Sequence, residues 1–190
     1  MIARDTQAEV YRLRERTIGA ATYEYRGCVY GSKRSFQLGL EAASCGPSGC
    51  FVVRHVTLAG TTVAYETELS SSAGNGEVIK SEWYVVVVDL QSEHMLYRVP
   101  TGVPSGESKH LASKLVGAGE TTAIVVRRDG AVAWINDTFH TEGRFEVHAL
   151  DATGERVLAV GSNIAPSSLA LAGSTLYWTQ GGKPFSATLH

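Results

Sequence analysis

Leu169-Ala-Leu-Ala-Gly-Ser-Thr-Leu-Tyr-Trp-Thr-Gln180 sets out one unit of a repeat: alternating apolar residues run into a glycine turn, and a second apolar strand leaves it and ends on an aromatic ring. The same pattern stands at Val56 to Tyr65 and at Ile124 to Trp134. Alternation at a period of two marks a strand with a buried face, and glycine supplies the positive φ of a tight turn. Three copies along one chain point to an all-β protein built from similar antiparallel units.

Outward from the last copy, Gly181-Gly182 turns the chain into Pro184 to Leu189, one strand short of a four-stranded unit. In the middle copy, Ala123 to Val126 and Val132 to Ile135 are joined through Asp129-Gly130. Arg144 to Leu150 and Arg156 to Val160 follow, turned by Asp151-Ala-Thr-Gly154. The first copy adds Trp83 to Leu90 and Met95 to Val99, with a polar Gly/Ser-rich excursion over 70–81 and a connector over 101–119. From Gly60 to Gly130 is 70 residues and from Gly130 to Gly173 is 43, and the excursion and connector account for the difference. A unit of about 40–45 residues has the period of a β-propeller blade.

Towards the N-terminus, Tyr23 to Tyr30 and Ser35 to Leu40 form a hairpin around Gly31-Ser-Lys33, without a Leu-Ala-Gly pair before it. It reads as the outer half of a unit whose inner half is the incomplete C-terminal copy, so residues 23–40 are expected to pair with 169–189. Thr6-Gln-Ala-Glu9 has the spacing of a capping box, and Val10, Leu13 and Thr17 or Ile18 follow at helical spacing. This predicts a short helix over residues 6–17. The organisation expected is an N-terminal helix or tail over 1–20 and one propeller-like β domain over 21–190. It would hold about three blade equivalents, with its ends joined in one chain or completed by a homodimer through open sheet edges. A twisted β-sandwich is the competing fold.

The tail Leu176-Tyr-Trp-Thr-Gln-Gly-Gly-Lys-Pro-Phe-Ser-Ala-Thr-Leu189 resembles the strand pair of bacterial propeller repeats and, more loosely, the Tyr-Trp-Thr-Asp blades of receptor ectodomains. With the Leu-Ala-Gly and Val-Asp-Leu landmarks, the chain as a whole resembles uncharacterised bacterial propeller-like repeat proteins. Gln180 stands where the receptor blades have Asp, so the resemblance carries no ligand chemistry from them.

Composition narrows the function. The 190 residues, 44% hydrophobic and 19% charged with 20 glycines, suit a globular, turn-rich protein. Seventeen Lys and Arg against nineteen Asp and Glu leave a net charge of −2 without a concentrated basic surface, which argues against nucleic acid as a partner. Arg12, Arg14 and Arg16, with Glu9 and Glu15 among them, are expected on a solvated helix face. No apolar run reaches the roughly 18 residues that span a bilayer, and Met1-Ile-Ala-Arg-Asp-Thr lacks the order of a secretory signal. Cys45-Gly-Pro-Ser-Gly-Cys50 brings two thiols close enough for a disulfide. A Cys45–Cys50 bond implies a secreted or cell-surface domain whose leader is absent from this chain. Pairing of Cys28 with one of them, or three reduced thiols in a cytoplasmic protein, are the alternatives.

No nucleophile elbow, zinc-protease helix, phosphate loop or dinucleotide fingerprint is present, so neither a catalytic residue nor a cofactor is assigned. Six histidines are scattered without metal-ligand spacing. The densest polar group is Asn136-Asp-Thr-Phe-His140 with Glu142, in a loop after Trp134. Asp137, His140 and Glu142 are therefore the candidate ligand-binding residues. Trp83, Trp134 and Trp178 fall within apolar strands and are expected in the core. Two functions fit: a non-catalytic binding or scaffold domain for a protein or small-molecule ligand, and a hydrolase- or lyase-like enzyme whose site is assembled from several blades.

Overall fold

The computed structural model describes residues 1–17, 20–42, 50–72, 78–101, 119–137 and 143–190. The regular elements among the described residues are all strands, grouped into four antiparallel sheets that follow one another along the chain. The first sheet holds β1 (Ala3–Arg4), β2 (Ala8–Thr17), β3 (Ala20–Val29) and β4 (Ser35–Ala42). The second holds β5 (Cys50–Ala59), β6 (Thr62–Ser72), β7 (Val78–Asp89) and β8 (His94–Pro100). The third holds β9 (Thr121–Val126), β10 (Val132–Asp137), β11 (Phe145–Asp151) and β12 (Gly154–Gly161), and the fourth holds β13 (Ala170–Ala172), β14 (Thr175–Gln180) and β15 (Lys183–Thr188). Within every sheet the strands lie in chain order, a simple meander. No helix of the described residues is long and apolar enough to cross a membrane.

Strand periodicity explains how the sheets stack. Val63 and Tyr65 on β6 turn toward the first sheet and pack with Ala8, Val10, Tyr25 and Leu38. Ala64, between them, turns the other way and joins Val85 and Val87 against Ile124, Val126, Val132 and Trp134 of the third sheet. On β10, Ala133 and Ile135 face the fourth sheet, where they meet Leu176, Trp178 and Leu189. The two middle sheets are thus covered on both faces, which is why Trp83 to Leu90 and Ala131 to Ile135 read as nearly unbroken apolar runs. The aromatic that closes each inner hairpin has one job: Tyr65, Trp134 and Trp178 all reach back to the sheet before their own. Trp134 and Trp178 are both buried, on the second strands of adjacent sheets.

Hydrogen bonds at the repeat turns stitch neighbouring sheets together. Gly60, at φ +65°, donates its amide to Asp5 Oδ2 at 2.5 Å, an approach open to a residue without a side chain. Thr62 Oγ1 donates to the Arg128 carbonyl at 2.7 Å, and the Arg127 guanidinium donates to the Leu189 carbonyl. Asp151 ties the third sheet to the C-terminal segment. Its carboxylate accepts from the Thr153 amide and hydroxyl, from Arg156 and from the His190 amide at 2.8 Å. Burial alone would raise the Asp151 carboxyl, but these donors outweigh it and bring it down to about 2.

Three expectations are corrected. The stretch expected as a helix over residues 6–17 is instead a turn followed by strand β2: Ala8 and Val10 enter the core at a period of two, and β2 pairs with β3 over its whole length. The hydroxyl read as a helix cap serves a turn instead, with the Thr6 amide and Oγ1 donating to Asp5 Oδ1 at 2.5 and 3.1 Å. The hairpin over residues 23–40 therefore finds its partner in β2, and the ladders of β14 run to β13 and β15, so the ends of the chain are not joined through it. Finally, the described residues of the excursion over 70–81, namely 70–72 and 78–81, are ladder, with Ser70 opposite Ser81 and Ser71 opposite Lys80.

The described residues form three four-stranded sheets and one three-stranded sheet packed in series, compatible with the expected blade count and different from the two layers of a sandwich. The series is compatible with a propeller-like arrangement, and the first strands of the middle sheets, β5 and β9, lie side by side. Leu13 and Leu40 on the first sheet and Tyr177 on the last remain exposed.

Candidate functional site

The seam between the second and third sheets changes character along its length. At one end Ala64, Val87, Val126 and Val132 make dry contact. Two residues further along β6, the same face carries Glu66, opposite Arg54 on β5 and Val85 on β7, and then Glu68, opposite Trp83. Across the seam, Asn136 lies opposite Thr121 and Glu146.

Both sheets are irregular at this polar end. On β5 the register slips after Arg54, so that His55 and Val56 together face one residue of β6, and His55 takes a left-handed φ of +50°. On β10 the register slips between Ile135 and Asn136. Bulges bend a strand and re-aim its side chains, and here two of them lie at the same end of one seam. Left-handed backbone is uncommon for a residue other than glycine and stores strain.

Glu66 is the centre of the group. It has no exposed surface, and its Oε1 accepts the Thr121 amide from the third sheet at 2.5 Å. Its Oε2 is buried and has no hydrogen-bond partner among the described residues. Burial pushes the Glu66 carboxyl up to about 7, against the pull of the Thr121 bond. Glu120, one residue before Thr121, pairs with Arg54, whose guanidinium also lies over the Trp83 ring at 5.1 Å from its centre. The Arg54 and Glu120 side chains are each about two fifths exposed, at 41% and 38%. Loss of hydration lowers the His55 imidazole, with Glu120 working against that and Arg54 with it. On the third sheet, His148 stacks on Trp134 at 5.1 Å and its Nε2 lies 3.0 Å from Glu146 Oε2.

Of the residues expected from sequence, Asp137 ends β10 beside this group. Its amide donates to the Glu120 carbonyl at 2.9 Å, and burial, then Glu120, raises its carboxyl. His140 and Glu142 lie outside the described residues, as does Cys45 and with it the Cys45–Cys50 pairing; Cys28 is a free, half-buried thiol. Sequence reading passed over Glu66, Arg54, Glu120 and Thr121. One signal was present: in Val63-Ala-Tyr-Glu66, alternation puts a carboxylate on a face that Ala64 shows to be buried.

The arrangement can offer a carboxylate acceptor, an aromatic face and a partly exposed ion pair to a ligand. Among the described residues, no group of three His, Cys, Asp or Glu side chains is placed to hold a metal ion. Two surface depressions elsewhere are formed mainly by turns, one around Ala59, Arg127, Asp129 and Gly173 and the other around Gly31, Arg34 and Glu93. Compared with known proteins, the chain matches no family model, no curated protein and no solved structure.

Proposed function

We propose that this protein is a non-catalytic binding domain of propeller type, and that it takes its ligand at the polar end of the seam between the second and third sheets. The observation that carries the reading is the pair of bulges at that end, which presents Arg54 and His55 of one sheet beside Glu120 of the next. A seam built for packing alone would continue the apolar pattern of Ala64 and Val87 to its end. The strained His55 backbone supports the same reading, because strain persists where the surroundings impose it and is concentrated at ligand sites.

A second reading, an enzyme with a site assembled from neighbouring sheets, is favoured by Glu66. A carboxyl held near 7 can act as a proton donor at neutral pH. One experiment addresses both. A library of small molecules and short peptides is titrated into isotope-labelled protein, and each bound compound is then recovered. The expected result is amide shifts centred on Arg54, His55, Thr121 and Asn136, with the compound intact. Conversion of a compound by the parent protein, lost on Glu66→Gln, would replace the binding reading with the enzymatic one.

A further inference from the structure

We propose that the ligand group received at this seam is an organic cation, an ammonium or a guanidinium, which seats between the Glu66 and Glu120 carboxylates against the Trp83 ring. The inference rests on reading the seam as a ligand site and goes on to name what the site takes.

The hydrogen-bonding inventory points to a donor. An ionised carboxylate accepts only, and Glu66 Oε2 is buried with no donor to it among the described residues. The Trp83 face already holds one cation, since Arg54 lies over it while pairing with Glu120. Arg54 therefore occupies the place of the ligand's own charge on Glu120 and Trp83, and it acts on Glu66 through its charge rather than through a hydrogen bond. A partly exposed side chain with rotatable bonds can swing into solvent and leave that place to an incoming group.

Charge points the same way. The groups facing the seam are Arg54 and His55 on β5, Glu68 on β6, Glu120 ahead of β9, and Glu146 and His148 on β11, with Asp137 at the end of β10. An anion would meet the partly exposed Glu120 carboxylate first and the buried Glu66 carboxylate behind it. A neutral hydroxyl could donate to Oε2 but would leave the charge uncompensated. A metal ion would need further ligands that the described residues do not bring together. A cation with N–H donors satisfies the unpaired oxygen and the charge of the Glu66 carboxylate together.

The test is an amide-shift titration at pH 8 with methylguanidinium chloride and with n-butylammonium chloride, using sodium chloride at equal ionic strength as the baseline. Saturable shifts at Thr121 and at the Trp83 indole are expected with at least one probe. Arg54→Gln, which removes the internal competitor, should tighten binding by about threefold or more. Glu66→Gln, nearly isosteric, should weaken it by about tenfold or more while leaving the rest of the spectrum in place. Because only the ionised carboxylate holds a cation, parent affinity should fall by about tenfold from pH 8 to pH 6, as Glu66 takes up its proton. Absence of saturable shifts in both the parent and Arg54→Gln, or equal affinity in the parent and Glu66→Gln, would overturn the proposal. A neutral or anionic compound that binds at the same amides independently of Glu66 would overturn the cation and leave the seam standing as a ligand site. Turnover of a compound would instead overturn the non-catalytic reading, while Glu66-dependent cation binding would still uphold this one.

Discussion

Replacing Trp134 with alanine should cost about 3–4 kcal/mol, and the structure separates the terms. Trp134 has no exposed surface, packs against Ala64, Val85 and Val87 of the second sheet, and stacks on His148. A buried aromatic of this size covers about 150–250 Å². At about 25 cal/mol per Å² that whole area corresponds to roughly 4–6 kcal/mol, of which an alanine keeps a part and to which the cavity adds. Against this, the indole Nε1 is buried without a hydrogen-bond partner among the described residues, so truncation also removes a donor whose burial costs about 1–3 kcal/mol. Trp134→Phe isolates that second term, since it keeps an aromatic ring and deletes the N–H. Its expected cost is under about 1.5 kcal/mol, the range of conservative apolar exchanges. Urea unfolding followed by circular dichroism gives both values. A Phe variant as destabilised as the Ala variant would show that the indole N–H has a partner, and an Ala variant within about 1 kcal/mol of the parent would show that the seam is not closed around the ring.

The remaining predictions use the same unfolding assay. Gly27→Ala should lose about 1–3 kcal/mol by overpacking, because a Cβ there would lie 2.3 Å from Leu90 Cδ2; an unchanged midpoint would mean that Leu90 moves aside freely. Asp151 has a depressed carboxyl, so its contribution is complete above the unfolded value near 4 and is lost as pH falls toward about 2. The parent should therefore lose on the order of 2 kcal/mol across that window, and an Asp151→Asn variant showing the same loss would remove Asp151 as its source. Glu66 has the opposite sign: its raised carboxyl destabilises progressively from about pH 4.5 to about 7 and fully above that. Glu66→Gln should flatten this dependence, by up to about 3 kcal/mol, and an unaltered profile would show that Glu66 is not the group titrating.

The strands were legible in the sequence wherever one hairpin supplies its own evidence. Leu169 to Trp178, Val56 to Tyr65 and Ile124 to Trp134 carry alternation, a glycine turn and a closing aromatic within a dozen residues, and all three fold as inner hairpins. The N-terminal strand was not legible, because among residues 8–14 Ala8 and Val10 are firmly buried and Leu13 is exposed, which leaves a sparse pattern that fits a period of 3.6 as well as 2. What settles it is pairing with β3, a tertiary fact. Read as a helix, that stretch left the N-terminal hairpin without its neighbouring strand, which is why the hairpin was assigned to the C-terminal copy. The polar seam was hidden for a related reason: Glu66 and Thr121 are 55 residues apart, and nothing local to either shows that sheet stacking sets one on the other. Asp137 was singled out because it lies in a locally dense polar stretch, the kind of signal a linear reading can detect.

Tyr65, Trp134 and Trp178 all reach backwards, and this gives the array a direction. During synthesis, N-terminal segments emerge first and are free to fold first. Each later sheet then finds the surface that will cover its aromatic already made, and no unit has to wait for its successor to shelter its ring. Shortening the chain from the two ends should accordingly be unequal. Removing the fourth sheet bares one face of the third but leaves Trp134 covered by its predecessor. Removing the first sheet strips Tyr65 of Ala8, Val10 and the Leu38 carbonyl that accepts its hydroxyl at 2.9 Å, so the second sheet begins with an uncovered core. A protein assembled in this way grows from its N-terminus like courses of brick, each laid on the last.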